Sequence, residues 1–455
     1  MGLFQRNHYS KADANSWERI FGKIISPLER FAQSSTSSGL LLLVLTLLAL
    51  LIANSPLHSA YEKLLHLPLG LSIGHLSLQL SLHHWINDGL MAIFFYLVGL
   101  EIKREMLVGE LASFKQAILP IMAALGGMLV PALFFSLLNG GGPGAGGWGI
   151  PMATDIAFAL AVLLLLGDRI PSGVMTILLA LAIVDDLGAV VVIALFYTDS
   201  LNWGQLGAAA ACFCLLLIFN LGGIRATAAY LLVSLLMWLF MLHSGIHATI
   251  AGVLSALATP VKSLYRPEEF SREGRKLLDK LDVLRQGKAS FIADEHLNHM
   301  LHSFRTGIDK AQPPLVRLAH GLHNPVYFLI IPLFVLFNAG VHLDGEALHD
   351  LGHSPVAWGV ALGLVGGKFV GVCSAILICV KTGLAALPSG VRYRHIVGMG
   401  LLAGIGFTMS IFIAELAFGG QPLLLTEAKI SILLASLCAG LLGFIWLYLF
   451  GGKKS

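Results

Sequence analysis

The chain has 455 residues, of which 56% are hydrophobic and only 12% charged, with a formal net charge of +3 at neutral pH. Soluble domains carry about twice that charged share, so a mean hydropathy of +0.80 excludes a water-soluble globular protein. At roughly 20 residues per crossing the length accommodates about a dozen membrane helices. The small net charge says little, because in such chains the placement of charge matters more than its sum.

Residues 1–36 mix basic, acidic and polar side chains around Pro27 and hold no short apolar core with a small-residue cleavage site. They read as a cytoplasmic tail, not as a removable signal. Apolar runs then predict helices near 39–54, 85–107, 116–138, 151–167, 173–197, 204–221, 226–242, 246–260, 325–341, 356–380, 395–418 and 428–450. The expected organisation is a tail over 1–36, helices one to eight over 37–260, a charged cytoplasmic insertion over 261–317, helices nine to twelve over 318–450 and a short tail over 451–455. Of the 29 Lys and Arg, all but Lys63, Lys368 and Lys429 fall in the tails or in even-numbered connections. That bias places both termini and the even-numbered connections in the cytoplasm.

Two connections carry patterns of their own. Residues 69–82, LGLSIGHLSLQLSL, alternate apolar and polar with period two and read as a short external β-hairpin, with an irregular loop as the other reading. Within the insertion, His296, His299 and His302 recur every third residue and can share a helix face. A metal or pH-sensing face and a plain solvated helix both stay open. The second is favoured, since zinc sites usually need a fourth defined ligand. The five cysteines (Cys212, Cys214, Cys373, Cys379 and Cys438) lie in apolar stretches without metal-ligand spacing or a disulfide framework. They read as small packing residues.

Four charged residues fall inside apolar spans: Asp155, Asp185, Asp186 and Lys368. An ionised side chain near the bilayer centre costs at least about 2.5–3.5 kcal/mol, so such residues usually serve a function. Neighbours on a helix point about 100° apart, so Asp185 and Asp186 can border one cavity while facing different partners. Burial and mutual repulsion both disfavour their charged forms. Carboxylates tuned in this way bind a proton near neutral pH and release it when a hard cation competes. A site that takes either ion, but not both, is the minimal chemistry of an exchanger. A buried salt bridge that only holds helices together is the bland alternative. Lys368 has two roles open to it, as the partner of one aspartate or as an offset to the partial charges of broken helix ends.

The fourth span follows a Gly-rich stretch and Pro151, and Thr154 is placed to cap a half-helix there. In the eleventh, Gly404 and Gly406 interrupt an otherwise strong helix. The predicted fold is therefore an all-α integral membrane protein of about twelve transmembrane helices. It is an inverted-repeat transporter fold with two broken helices and a small external β-hairpin, in which spans three to five mirror spans ten to twelve.

Six strings run in order through the chain: WINDGLMAIFFYLVGLEIKRE (85–105), GWGIPMATDIAFAL (147–160), LAIVDDLGAVVVIALFYT (181–198), SGIHATIAGV (244–253), LFNAGV (336–341) and GIGFTMSIFIAELAFG (404–419). Together they resemble the NhaA family of Na⁺/H⁺ antiporters. Paired broken spans are a rule drawn partly from this same family, so they are not separate support. The resemblance implies a multi-pass protein of the bacterial inner membrane that exchanges Na⁺ or Li⁺ for H⁺ electrogenically and serves pH and sodium homeostasis. It implies Asp185 and Asp186 as the ion- and proton-binding pair, Lys368 as the partner of Asp185, and Thr154 and Asp155 at the crossing of the broken spans. Glu101, Arg104, Glu105 and His247 match positions tied to pH response near the cytoplasmic mouth. The resemblance also implies a homodimer joined through the external hairpin. Two positions depart from the family pattern: Ala319 stands where an acidic residue is usual, and Phe369 where a proline is.

No P-loop appears, so transport reads as secondary and not ATP-driven. The chain reads as a non-enzyme that binds no nucleic acid and needs no cofactor beyond the transported ions. An intramembrane aspartyl protease would set its acids on separate helices in YD and GxGD contexts, which are not found here. A channel would not need tuned carboxylates, an organic-anion carrier would want more than one buried cation, and a scaffold would work through the insertion alone.

Overall fold

The computed structural model describes residues 35–73, 76–198, 201–263, 311–343 and 351–452, with isolated positions between 271 and 308. Most of the expected N-terminal tail, much of the 261–317 insertion, including His296, and residues 453–455 lie outside the described residues. His299 and His302 are exposed helical residues.

Helix α1 (Ser35–Ala53) turns by 111° into the short α2 (His58–Leu65). Strands β1 (Pro68–Ile73) and β2 (Leu76–Ser81) then pair antiparallel with Leu69 opposite Leu80, which is the hairpin expected from the alternation. Two strands alone are marginal in water. The Trp85 indole fastens the pair to the next helix by donating to Leu69 O at 3.0 Å. That helix, α3 (Leu82–Val108), starts on Ser81, whose hydroxyl accepts from His84 N.

Next come α4 (Phe114–Asn139), a 3₁₀ stretch over Pro143–Met152, α5 (Ile156–Leu165), α6 (Ser172–Phe196), α7 (Trp203–Leu221), α8 (Thr227–Leu242) and α9 (Ile250–Ala258). Beyond the insertion follow α10 (Pro314–Asn338), α11 (Pro355–Lys381), α12 (Tyr393–Leu402), α13 (Phe407–Phe418) and α14 (Pro422–Phe450). The apolar runs place most of these within a few residues. Helix α10 begins well before the expected 325, because its first turns (PLVRLAHGLHNP) are amphipathic and do not register as an apolar run. Helix α9 is shorter than the expected 246–260, since Gly245 takes φ +88° and the chain enters the helix only at Ile250.

Among the described residues, seven helices are long and apolar enough to cross a membrane, or ten if each of three bent pairs counts as one span. The outer face of α4 presents Leu129, Leu133 and Leu137, exposed and one turn apart. An apolar side chain on the outside of a helix that is apolar all round is what lipid contact requires.

The inner face of α4 is built of small residues and meets α11 closely. A Cβ on Gly126 would stand 2.3 Å from Gly371 O, and one on Gly371 would stand 2.1 Å from Gly126 O. Glycine is required at both positions because backbone meets backbone there, as at other small-residue crossings in membranes. Just before Lys368, α11 widens into a π turn over Gly363–Gly367, a feature frequent at functional sites.

Two interruptions fall where Pro151 and the Gly404/Gly406 pair predicted them. The 3₁₀ stretch and α5 are bent by 43° at Ala153–Asp155, and α12 and α13 by 45° at Ala403–Gly406.

Candidate functional site

The two breaks touch each other. Asp155 N donates to Ile405 O at 2.7 Å between the two breaks, and Ser410 Oγ of α13 donates to Ile150 O of the 3₁₀ stretch at 2.8 Å, so each broken span satisfies polar groups of the other. A backbone group left unpaired at membrane depth would cost several kcal/mol, which is why non-helical segments survive there only when buried in protein.

Asp155, not Thr154, caps α5. The Asp155 Oδ1 accepts from Phe158 N at 3.0 Å, whereas the capping role was expected of Thr154. The second oxygen of Asp155 crosses to the other break, accepting from Thr408 N at 3.1 Å and Thr408 Oγ1 at 2.5 Å. One carboxylate therefore serves the N-termini of both half-helices, α5 and α13, where the helix dipoles favour negative charge. Thr154 is released from capping for another task. Its hydroxyl lies 2.8 Å from Asp185 Oδ2 and 3.0 Å from Ala403 O, so it links α6 to the second break.

Asp185 and Asp186 sit midway along α6, each 1% exposed. Lys368, from the first turn after the π widening of α11, donates its ammonium to Asp185 Oδ2 and is fully buried. The ammonium and the Asp185 carboxylate thus form an ion pair between α11 and α6. Asp185 Oδ1 and Asp186 Oδ1 are buried and find no hydrogen-bond partner among the described residues. The structure thus brings Thr154, Asp155, Asp185, Asp186 and Lys368 into one buried cluster at the crossing.

Two cavities approach this cluster from the end of the molecule that carries Lys115, Ser172 and Ser389. One, of about 800 Å³, is lined among others by Glu110, Lys115, Thr176 and Ala180. The other, of about 580 Å³, is lined by Glu105, Glu110, Thr176 and Ala180 among others. Ala180 lies on α6, less than two turns before Asp185.

The four residues that the resemblance ties to pH response near the cytoplasmic mouth do not all lie at one end of the molecule. Glu101 is half-buried on α3. The Arg104 guanidinium lies 3.4 Å from Glu105, whose other oxygen accepts from Glu110 N at 3.1 Å and closes the turn after α3. His247 is elsewhere. Its Nε2 lies 3.6 Å from Asp88 and its Nδ1 2.9 Å from Thr249 Oγ1. Asp88 and Glu101 are thirteen residues apart on one helix, which is about 20 Å. His247 therefore belongs to the end of α3 opposite to the other three. The short string around it gave no means of telling which end.

Several polar residues of this region escaped the sequence reading. Thr408 stands in a string singled out for its glycines, and the signal was a hydroxyl in the first turn after a break. Glu427 is also buried within a helix, and Glu415 and Lys429 are largely shielded, with side chains 7% and 11% exposed. Counting basic residues assigned Lys429 to an external connection. It lies instead inside α14, paired with Glu415 at 2.5 Å.

Comparison with known proteins gives a consistent result. A family model described as Na⁺/H⁺ antiporter 1 matches residues 29–447. A Na⁺/H⁺ antiporter NhaA from Dichelobacter nodosus is 54% identical over 456 aligned positions, covering 100% of this chain and 98% of the relative. A Na⁺/H⁺ antiporter NhaA 1 from Saccharophagus degradans is 49% identical, covering 96% and 95%. A third, from Sulfurimonas denitrificans, is 49% identical, covering 95% and 97%.

Proposed function

The chain belongs to the NhaA family of Na⁺/H⁺ antiporters, a multi-pass membrane family, and from that premise we propose that it exports cytoplasmic Na⁺, and Li⁺ with it, in exchange for external H⁺ across a bacterial inner membrane. The observation that carries the site assignment is the pair of adjacent buried aspartates at the crossing of two broken spans, each with an oxygen that has no hydrogen-bond partner among the described residues.

Asp185 and Asp186 are the cation and proton ligands in this reading. With both deprotonated, their oxygens, the Thr154 hydroxyl and nearby carbonyls offer the hard donors that Na⁺ and Li⁺ prefer. Cation binding at Asp185 displaces Lys368 from Oδ2. Protonation of the carboxylates displaces the cation in turn. Two carboxylates give up two protons for one monovalent ion, so each cycle moves net charge and transport is electrogenic. The membrane potential then contributes about 2.3 kcal/mol per charge per 100 mV to driving it.

Asp155 holds the crossing together, so the half-helices can move as units while the site stays intact. The arrangement of about twelve spans with inverted repeats, in which α4 to α6 mirror α11 to α14, supplies two such units. Both termini and the 261–317 insertion face the cytoplasm in this reading, following the basic-residue bias. The two cavities then open inward, and Glu105, which lines one of them, tunes the pH response together with Glu101 and Arg104 on the same helix end. His247 acts at the external end. The hairpin of β1 and β2 joins two copies as a homodimer. The exchange serves pH and sodium homeostasis.

The test is reconstitution in vesicles carrying an internal pH dye and an acidic interior. Addition of Na⁺ or Li⁺ is expected to drive proton efflux, with little response to K⁺ and none in Asp186→Asn. Normal exchange by Asp186→Asn would overturn the site assignment. Cation-independent behaviour of the wild type would overturn the function.

A further inference from the structure

Glu415 lies on the second half of the broken pair, in IFIAELAFG near the end of α13. Thr408, which binds Asp155 at the start of the same helix, is seven residues away. Seven residues are two turns, so the two side chains share a face about 10 Å apart. Helix α13 is therefore held at one end by the ion site and at the other by Glu415.

The hold on Glu415 comes from two other helices. Lys429 of α14 lies 2.5 Å from its Oε1, and Nε2 of His83 at the start of α3 lies 3.6 Å from its Oε2. The Glu415 and Lys429 side chains are 7% and 11% exposed. His83 is in turn 3.1 Å from Asn338 Oδ1 of α10 and 3.2 Å from Asn87 Nδ2, and Asn338 Nδ2 donates to Asn87 Oδ1 at 2.9 Å. Two residues before Lys429, Glu427 accepts from Ser354, the cap of α11, at 2.5 Å. The first turns of α14 thus tie α11 and α13, and His83 ties α13 to α3 and α10.

This network lies at the end of the molecule opposite to the two cavities. An ion at Asp185 and Asp186 has cavities leading toward it from one side, while the helices on the other side are knitted by charge. We propose that Glu415, Lys429 and His83 form the external closure of the pathway, positioning α13 while the site faces the cytoplasm and parting when it faces outward. This rests on the exchange and orientation proposed above. An ion pair suits the task. It holds strongly when shielded from water, and its groups are readily solvated once the helices separate.

The experiment compares the wild type, Glu415→Gln and the charge-swapped Glu415→Lys/Lys429→Glu in vesicles of known orientation. Two quantities are read: the half-saturating Na⁺ concentration from each side, and deuterium uptake by segment 407–418 in a lipid bilayer. When a binding-competent state is a minor population, apparent affinity scales with that population. Weakening the closure enlarges the outward-facing share. In Glu415→Gln the external half-saturating Na⁺ is expected to fall about 3–10-fold, while the cytoplasmic value rises slightly. Deuterium uptake in 407–418 is expected to increase, and the swapped pair to restore both readings toward the wild type. Loss of folded protein would lower the maximal rate without shifting the two sides in opposite directions. Sided constants that stay put, or move together, would overturn the closure, as would unchanged deuterium uptake. A wild type that moves no protons with Na⁺ would overturn the exchange reading instead, and the deuterium uptake would still decide the closure.

Discussion

Lys368 and Asp185 form a salt bridge in which neither side chain has any exposure, and the oxygen that receives the ammonium also receives the Thr154 hydroxyl. Removing one partner of such a pair leaves a buried charge uncompensated, which costs about 3–5 kcal/mol. Lys368→Met and Asp185→Asn should therefore each lower the melting temperature in detergent markedly. Asp185→Asn combined with Lys368→Met should recover most of the loss, because no lone charge remains. A double-mutant cycle on thermal stability checks this, and additive effects would argue against a coupled pair.

Thr408 supplies Asp155 with both a backbone N–H and a hydroxyl. Hydrogen bonds to a charged group are worth about 1.5–3 kcal/mol. Thr408→Val keeps the shape and loses the hydroxyl. Exchange should slow by about 10–100-fold, whereas Thr408→Ser should stay near the wild type. Initial rates in vesicles, normalised to inserted protein, distinguish the two.

The contact of Gly126 with Gly371 is backbone against backbone, so Gly126→Ala cannot be absorbed by rotating a side chain. The variant must push α4 away from α11 and carry Lys368 with it. Reduced thermal stability and reduced exchange are expected together, although no charged or polar residue is changed. Gly146, which has no neighbour within 4 Å of an added Cβ, provides the control. Gly146→Ala should exchange normally.

His247 and the Glu101 to Glu105 group lie at opposite ends of α3. Sites separated by more than about 10 Å with no shared partners usually act additively. Shifts in the pH of half-maximal exchange caused by His247→Ala and by Glu105→Gln should therefore sum in the double variant. A strongly non-additive shift would indicate one coupled sensor.

Much of this site is legible locally. Paired aspartates in an apolar run, a lysine in another, and glycine or proline at two breaks are each visible within a dozen residues, and the structure brings them to one crossing. The hairpin was equally readable, because period-two alternation is a local signal. The contacts that were missed join distant segments. Thr408 meets a carboxylate about 250 positions earlier, and His83 meets Glu415 across more than 300. Nothing in the local pattern fixes the registers of separate helices relative to one another. The exchange of roles between Thr154 and Asp155 shows a finer limit. Both are good cap residues, and the choice went to the one whose second oxygen also reaches Thr408, a partner invisible from the 151–160 segment. Glu415 and Lys429 were hidden for a related reason. Each looks like a residue at the edge of an apolar run until its partner is known, and only the pairing explains how both are so far shielded from solvent.

In the proposed exchange, Na⁺ and H⁺ compete for Asp185 and Asp186. The most direct test is Na⁺ binding to the purified protein by calorimetry at several pH values, in buffers of different ionisation enthalpy, so that released protons are counted. Competition predicts that protons leave as Na⁺ binds and that, below the apparent pKa, Na⁺ affinity weakens about tenfold per pH unit for each proton displaced. Asp186→Asn should lose the heat of binding. Tight Na⁺ binding with no proton release and no dependence on pH would contradict the account.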